Sequence, residues 1–99
     1  MRPTAFGWID YDSSISPDRD RAQVSRLAQR LGYRVVWADV RSVLPVVDQV
    51  RNTGAAVVVM PSPYHVDPLV LNRLMEVVDV ETVLPRLSFA RWVVFGLGR

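Results

Sequence analysis

The stretch Ala55-Ala56-Val57-Val58-Val59-Met60 decides the fold of this 99-residue chain. All six residues are apolar and turn-forming residues flank them, so the run has the length of a strand and is too short for a typical helix. A strand without polar alternation is typical of a parallel sheet that helices cover on both faces. We therefore predict that this strand lies at the sheet centre.

Two strand and helix pairs precede the central strand. Ala5 to Tyr11 is predicted as a first strand, which Gly7 interrupts. Ser16-Pro17 is typical of a helix start, with the serine as cap and the proline in the first helical position. Apolar residues then recur at three- and four-residue spacing until Gly32 ends the helix. Arg34 to Val40 contains a short β-branched and aromatic run, which predicts a buried second strand.

A second helix is predicted before the central strand, with Ser42 as a candidate cap and Pro45 within the first turn. Asn52-Thr53-Gly54 ends it. Its apolar face would consist of Val43, Leu44, Val47 and Val50.

The chain after the central strand repeats the pattern, with a third helix beginning at Asp67-Pro68 and a fourth strand over Val80 to Leu84. In residues 85–99 the apolar pattern fits either a fifth strand or a short helix. This alternation predicts one α/β domain over residues 1–99. Its architecture would be a three-layer αβα sandwich around a mostly parallel sheet of four to five strands.

The composition excludes several function classes. No cysteine is present, so there is no disulfide, thiol nucleophile or cysteine-ligated metal. All twelve basic residues are arginine, which excludes a Schiff-base amine and a phosphate-loop lysine. No membrane span or secretory signal is recognisable, and a net charge of +2 is mild, so we expect a cytoplasmic protein without a cofactor or metal.

Polar side chains follow the first and third predicted strands, whose carboxyl ends meet at one edge of a parallel sheet. They could form a nucleophile and base arrangement or a weak oxygen-rich metal site, but ordinary loop and cap roles explain each of them as well. These residues are Asp10, Tyr11, Asp12, Ser13 and Ser14 in the first loop, and Ser62, Tyr64, His65 and Asp67 in the second.

Three segments resemble one known family. Phe6-Gly7-Trp8-Ile9-Asp10 resembles the opening strand of the serine recombinases (resolvases and invertases), whose pattern is Tyr-x-Arg-x-Ser. Gln23 to Tyr33 resembles their first helix, and Ala56 to Val66 resembles the strand and loop that carry a Leu-Asp-Arg-Leu-x-x-Arg signature. The resemblance covers about Thr4 to Leu84, with order and spacing closer than identities.

The departures from the family pattern fall on its catalytic positions. The resemblance places Asp10 at the nucleophilic serine and Trp8 at an arginine, while Tyr64 and His65 stand at the aspartate and first arginine of the later signature. An anion at the serine position would repel a phosphodiester, and the charge-stabilising arginines are replaced. The resemblance therefore implies a catalytically inactive, resolvase-like domain.

We expect such a domain to act as a protein-interaction or regulatory module, with a protein partner or as a homo-oligomer. Large aromatic side chains near the end of the chain are candidate interface anchors. These are Phe89, Trp92 and Phe95.

Two alternatives stay open. The first is sequence-tolerant binding of nucleic acid, for which the candidate phosphate-binding residues are Arg19, Arg26, Arg30 and Arg34. A solvated helix face explains the helical arginines equally, because Asp18 and Asp20 stand among them. The second alternative is a small hydrolase or phosphate-handling enzyme that uses Asp10, Ser13 and His65.

Overall fold

The computed structural model describes residues 2–39 and 41–91, which form one five-stranded sheet with helices on both faces. The strands are β1 (Thr4–Gly7), β2 (Arg34–Trp37), β3 (Val57–Met60), β4 (Asp79–Thr82) and β5 (Leu87–Phe89). The helices are α1 (Pro17–Arg30), α2 (Val46–Thr53) and α3 (Pro68–Leu74), and a 3-10 turn covers Pro63–His65. Strand order is β2-β1-β3-β4-β5, and only β5 is antiparallel.

The central position of β3 is confirmed. All four of its residues are buried, and it pairs in parallel with β1 on one side and β4 on the other. Val58 stands opposite Phe6 of β1 and Val80 of β4, so three buried side chains form one row across the sheet. The unbroken apolar run is needed because helices cover both faces here.

Each face of the sheet carries its own core. On one face, α1 packs Val24, Leu27 and Ala28 against alternate residues of β1 and β3. On the other face, α2 and α3 pack against Phe6, Val58, Met60 and Val80, the residues of opposite parity. The fold is therefore the predicted α/β arrangement of three layers around a mostly parallel sheet.

The second strand differs from its prediction. β2 was expected to be buried, but it is an edge strand whose residues are exposed or half-buried. The first strand is also shorter than predicted, because pairing in β1 ends at Gly7. The ring of Trp37 lies against that glycine, where a Cβ atom would come within 2.6 Å of the ring. Gly7 is thus a position where the Trp37 ring packs closely against the backbone.

The three predicted helix caps have different outcomes. Ser16 occupies the N-cap position and Pro17 begins α1, as predicted, but the Ser16 side chain makes no capping hydrogen bond. The Ser42 cap is wrong. Ser42 accepts a hydrogen bond from the N–H of Leu44 in a local turn, and α2 begins only after Pro45, so Val43 and Leu44 are exposed. The Asp67 cap is confirmed, since its carboxylate accepts from Leu69 N at 2.8 Å.

For residues 85–99 the sequence fitted either a fifth strand or a short helix, and the structure decides between them for residues 87–89. Leu87–Phe89 forms a strand that pairs antiparallel with β4. Trp92 and Phe95, the other two predicted interface residues, lie outside the described residues. Within the described ranges, no helix is long and apolar enough to span a bilayer.

Candidate functional site

The loops after β1 and β3 are joined by two hydrogen bonds. The backbone N–H of Asp10 donates to Nδ1 of His65 at 2.9 Å, and the indole N–H of Trp8 donates to the backbone carbonyl of His65 at 2.9 Å. The chain reverses its strand order between β1 and β3, so this is the edge where a parallel sheet opens a crevice. All four positions that the family resemblance singled out therefore lie together, with Tyr64 next to His65.

His65 is the buried centre of this arrangement, with a relative exposure of 8%. Because its Nδ1 accepts from an N–H, the ring proton of the neutral imidazole is on Nε2. Burial lowers the pKa of His65 below its ordinary value, against the opposing effects of the Asp20 and Asp10 carboxylates. At neutral pH His65 is thus an uncharged donor, and its one basic nitrogen is already occupied.

Asp10 is engaged within its own loop. One carboxylate oxygen accepts from the N–H of Asp12 at 3.1 Å, and the other accepts from the hydroxyl of Ser13 at 2.7 Å. This is the pattern of a local turn that an aspartate stabilises. Ser13 accordingly donates to Asp10 and has no hydrogen bond to His65, so the nucleophile and base arrangement is not assembled.

The remaining predicted loop residues also bond to near neighbours. Ser14 donates to the carboxylate of Asp20 at 2.6 Å, and Ser62 accepts from the N–H of Tyr64 at 3.2 Å. The phenol oxygen of Tyr11 accepts from Arg21 at 3.2 Å. In the described part of the chain, no three histidine or carboxylate side chains converge closely enough to hold a metal ion.

Two depressions flank the link between Asp10 and His65. The α1 crevice has a volume of about 390 Å³ and lies between the first turn of α1 and the two loops. It is lined by Ser13, Ser14, Ile15, Ser16, Arg19, Asp20, Gln23, Pro61, Ser62, His65 and Leu84. The α2–α3 groove, of about 630 Å³, lies on the other face and has an apolar wall that includes Trp8, Leu44, Val47, Tyr64 and Val66.

Comparisons of the chain with protein-family models, curated proteins and solved structures give no match. The relationship to serine recombinases therefore stays a prediction. The function has to be inferred from the geometry of this chain.

Exposed apolar side chains gather at the same end of the domain, a feature that the sequence patterns missed. Nine large apolar side chains are exposed among the described residues, and seven of them lie in the loops after the parallel strands or in the first turn of α3. We call these seven the carboxyl-end surface: Tyr11, Ile15, Val43, Leu44, Tyr64, Leu69 and Leu84. The sequence signal was hidden because Val43, Leu44 and Leu69 fit helical apolar faces.

Three of the four candidate phosphate-binding arginines lie along one side of α1. Arg19, Arg26 and Arg30 are seven and four residues apart, which brings each to nearly the same angle around a helix. All three are exposed, and none forms an ion pair within the described residues. Asp18 and Asp20 do not lie in this row, because a single residue step turns the helix by about 100°.

The fourth arginine does not join this row, which we call the α1 stripe. Arg34 stands next to Val35, which packs on the α1 side of the sheet, so alternation places Arg34 on the opposite face. There its guanidinium donates to the hydroxyl of Thr4 at 3.3 Å. Arg21 is also separate, because its guanidinium lies 4.3 Å from the ring centroid of Trp37.

Proposed function

We propose that this chain is a catalytically inactive, resolvase-like cytoplasmic domain that works by binding a partner protein. The observation that carries the proposal is the carboxyl-end surface. Single exposed apolar residues are ordinary on a protein surface, but a concentration of them at one end is typical of an interaction site. Ile15, Val43 and Tyr64, with exposures of 102%, 97% and 81%, are the most exposed of the seven and would lose the most contact with water on binding.

The charges at this end favour a partner of defined chemistry. The loops after the strands contain four aspartates, Asp10, Asp12, Asp39 and Asp67. The arginines in the same loops are neutralised in place, Arg41 by Asp39 at 3.6 Å and Arg86 by Glu81 at 2.8 Å. The loops are therefore apolar with a negative surplus, and Arg21 lies beside them at Tyr11. An apolar segment of another protein whose basic residues face the loops would complement this pattern.

The hydrogen bonds of the site support a role without catalysis. A general base needs a free acceptor within reach of the proton it removes. Nδ1 of His65 is engaged by a backbone N–H, and both carboxylate oxygens of Asp10 accept within the loop. The polar groups thus fix the shape of the loops, and the loops present the apolar residues.

The test compares three tagged proteins in a pull-down from nuclease-treated lysate, with recovered proteins quantified by mass spectrometry. The wild type and the control Leu31→Ser, which alters an exposed apolar residue at the end of α1, should recover the same protein. The double variant Leu44→Ser, Tyr64→Ser should lose it. Equal recovery by all three, or no specific protein from the wild type, would contradict the proposal.

The α1 stripe favours a second candidate function, sequence-tolerant binding of nucleic acid. Three exposed guanidinium groups in one row, none in an ion pair within the described residues, can follow a phosphate backbone. Such binding releases counterions from the nucleic acid and therefore weakens steeply as the salt concentration rises. Fluorescence anisotropy with labelled duplex and single strands should then detect binding by the wild type and by Arg34→Gln. The double variant Arg26→Gln, Arg30→Gln should bind weakly and with a smaller salt slope. Absent or salt-independent binding would remove this candidate.

A further inference from the structure

We propose that the open edge of β2 pairs in antiparallel fashion with β2 of a second copy of this chain, so that two five-stranded sheets join into one. The residues of β2 are not part of the carboxyl-end surface, so the proposal does not depend on the partner-binding function. It concerns another surface, and the partner is the chain itself.

The outer edge of β2 has backbone groups that can pair with an added strand. β2 is the last strand on its side of the sheet, and no strand in the described part of the chain lies beyond it. Arg34 and Ala38 both donate their N–H groups to carbonyls on the β1 side, at 2.8 Å and 3.2 Å. Backbone groups point alternately to the two sides of a strand, so the N–H and C=O groups of Val35 and Trp37 point to the open edge.

The side chains of β2 do not protect this edge. Edge strands of natural proteins commonly avoid pairing through charged residues, prolines, bulges or very short length. After Arg34, β2 continues with Val35, Val36 and Trp37, and its register with β1 is unbroken. All three are half-buried, so an added strand would remove further apolar surface from water.

The opposite edge of the sheet has the protection that β2 lacks. β5 has only three residues. Arg86 precedes it directly, and its guanidinium donates to the carbonyl of Leu87 at 2.9 Å and to the carboxylate of Glu81 at 2.8 Å. A short strand with a charged side chain fixed at its start is typical of a protected edge. Each copy therefore offers one open edge, and pairing through it should stop at two copies.

A two-fold axis at Val36 satisfies all the outward groups together. Val35 of each copy then stands opposite Trp37 of the other, and each of these two pairs exchanges two hydrogen bonds. Val36 meets Val36 of the second copy as a non-hydrogen-bonded pair, in which the Cα atoms are about 4.5 Å apart and the side chains touch. A shift by one residue would set outward groups against inward ones and lose these bonds.

The charges at the two ends of β2 favour the antiparallel direction. In this register Arg34 of one copy stands opposite Ala38 of the other, next to Asp39. Arg34 forms no ion pair within the described residues, and Asp39 contacts Arg41 at 3.6 Å between largely exposed side chains, so both can take a partner. A parallel pairing in the same register would instead set the two Arg34 side chains beside each other, which is unfavourable.

The test combines sedimentation equilibrium of the full chain, from micromolar to millimolar concentration, with amide hydrogen exchange followed by NMR. Because the contact is small, the dimer should dissociate on dilution. The mass should rise from monomer to dimer and no further. The amides of Val35 and Trp37 should gain several-fold protection as the dimer forms, while Val36, which faces β1, should be protected at every concentration.

Two outcomes of this experiment would overturn the proposal. A chain that stays monomeric at millimolar concentration has no such interface. A dimer in which Val35 and Trp37 gain no protection is joined through another surface.

Two substitutions at residue 35 separate the hydrogen bonds from the packing. Val35→Pro removes the outward N–H, which an edge strand tolerates, and the dimer loses two of its four hydrogen bonds. Its association constant should fall about ten-fold or more. Val35→Ala also loses the valine packing but keeps the N–H, so it should dimerise nearly as the wild type does. Equal association constants for the two variants would contradict the proposed pairing.

A charge reversal tests the direction of the strands. Arg34→Glu sets a carboxylate near Asp39 of the second copy and should weaken the dimer several-fold. The double variant Arg34→Glu, Asp39→Arg should restore it. Arg26→Glu makes the same change of charge on α1 and should leave the dimer as in the wild type. Equal weakening by the two single variants, or no restoration in the double variant, would contradict the antiparallel register.

Discussion

The imidazole of His65 is held by the backbone of Asp10, whose N–H donates to Nδ1 at 2.9 Å across a separation of 55 residues in the sequence. This bond joins the loops after β1 and β3 and sets the proton of the ring on the opposite nitrogen. His65 is therefore a structural acceptor at Nδ1, and its Nε2 carries the ring proton.

Replacing His65 by leucine should destabilise the protein by about 1–3 kcal/mol, because the partly buried N–H of Asp10 loses its acceptor. Urea denaturation followed by circular dichroism measures the change. As a control, Tyr64→Leu alters the neighbouring exposed residue and should stay within about 0.5 kcal/mol of the wild type. An unchanged midpoint in His65→Leu would mean that the bond contributes nothing to stability.

The stability should also depend on pH through His65. Its pKa in the folded state is lowered from 6.5, chiefly by burial, so the unfolded chain takes up a proton at higher pH than the folded chain does. The contribution of His65 to the free energy of unfolding is therefore fully present above pH 6.5. It falls as the pH decreases through that value, until the folded state is protonated too. Urea denaturation at pH 7.5, 6.5 and 5.5 should follow this course.

The variant His65→Leu provides the control for the pH series, because it should lose this part of the pH dependence. An NMR titration of the His65 ring gives an independent reading, with an expected midpoint below 6.5. A midpoint above 6.5 would contradict the assignment of burial as the dominant effect.

The contact between Gly7 and Trp37 gives a packing prediction. A Cβ on residue 7 would lie 2.6 Å from the indole ring, so Gly7→Ala forces the ring to move and should cost about 1–3 kcal/mol. Gly7→Ala should cost less when it is made in the Trp37→Leu protein than when it is made in the wild type, because the ring that it displaces is absent. Thermal denaturation of the four proteins in a double-mutant cycle measures the coupling. Additive effects would show that the ring does not limit residue 7.

The carboxyl-end surface should be dispensable for folding. Val43 and Tyr64 are largely exposed, so serine at either position should change the free energy of unfolding by no more than about 0.5 kcal/mol. In contrast, Val58→Ala removes buried methyl groups from the central strand and should cost on the order of 2 kcal/mol. If the serine variants proved as costly as Val58→Ala, these side chains would have to be part of the core.

The fold was largely predictable because its strongest signals are local. The apolar run ending at Met60 predicts a strand, and Asp67-Pro68 predicts a helix start, each from only a few neighbouring residues. The edge position of β2 was not predictable, since its apolar run around Val35 and Val36 is the same in an edge strand that lies under a helix. The late start of α2 was missed for a similar reason, because Val43 and Leu44 continue its apolar spacing into a turn.

Only the location of the site was predictable from the sequence. Parallel strands bring the loops containing Asp10 and His65 to one edge, and the structure has them in contact. Which atoms bond could not be read from spacing, because a backbone N–H, and not a side chain, is the partner of the imidazole. The separation of Arg34 from the α1 stripe likewise depends on strand parity and on the path of the sheet.

The most direct test of the central claim replaces Tyr64 by the photo-crosslinking amino acid p-benzoylphenylalanine in the protein expressed in its own cells. We expect a discrete protein adduct after irradiation, and no such adduct when the same group replaces Leu31 at the far end of α1. Adducts at both positions alike, or at neither, would contradict the claim that the carboxyl-end surface binds a partner protein.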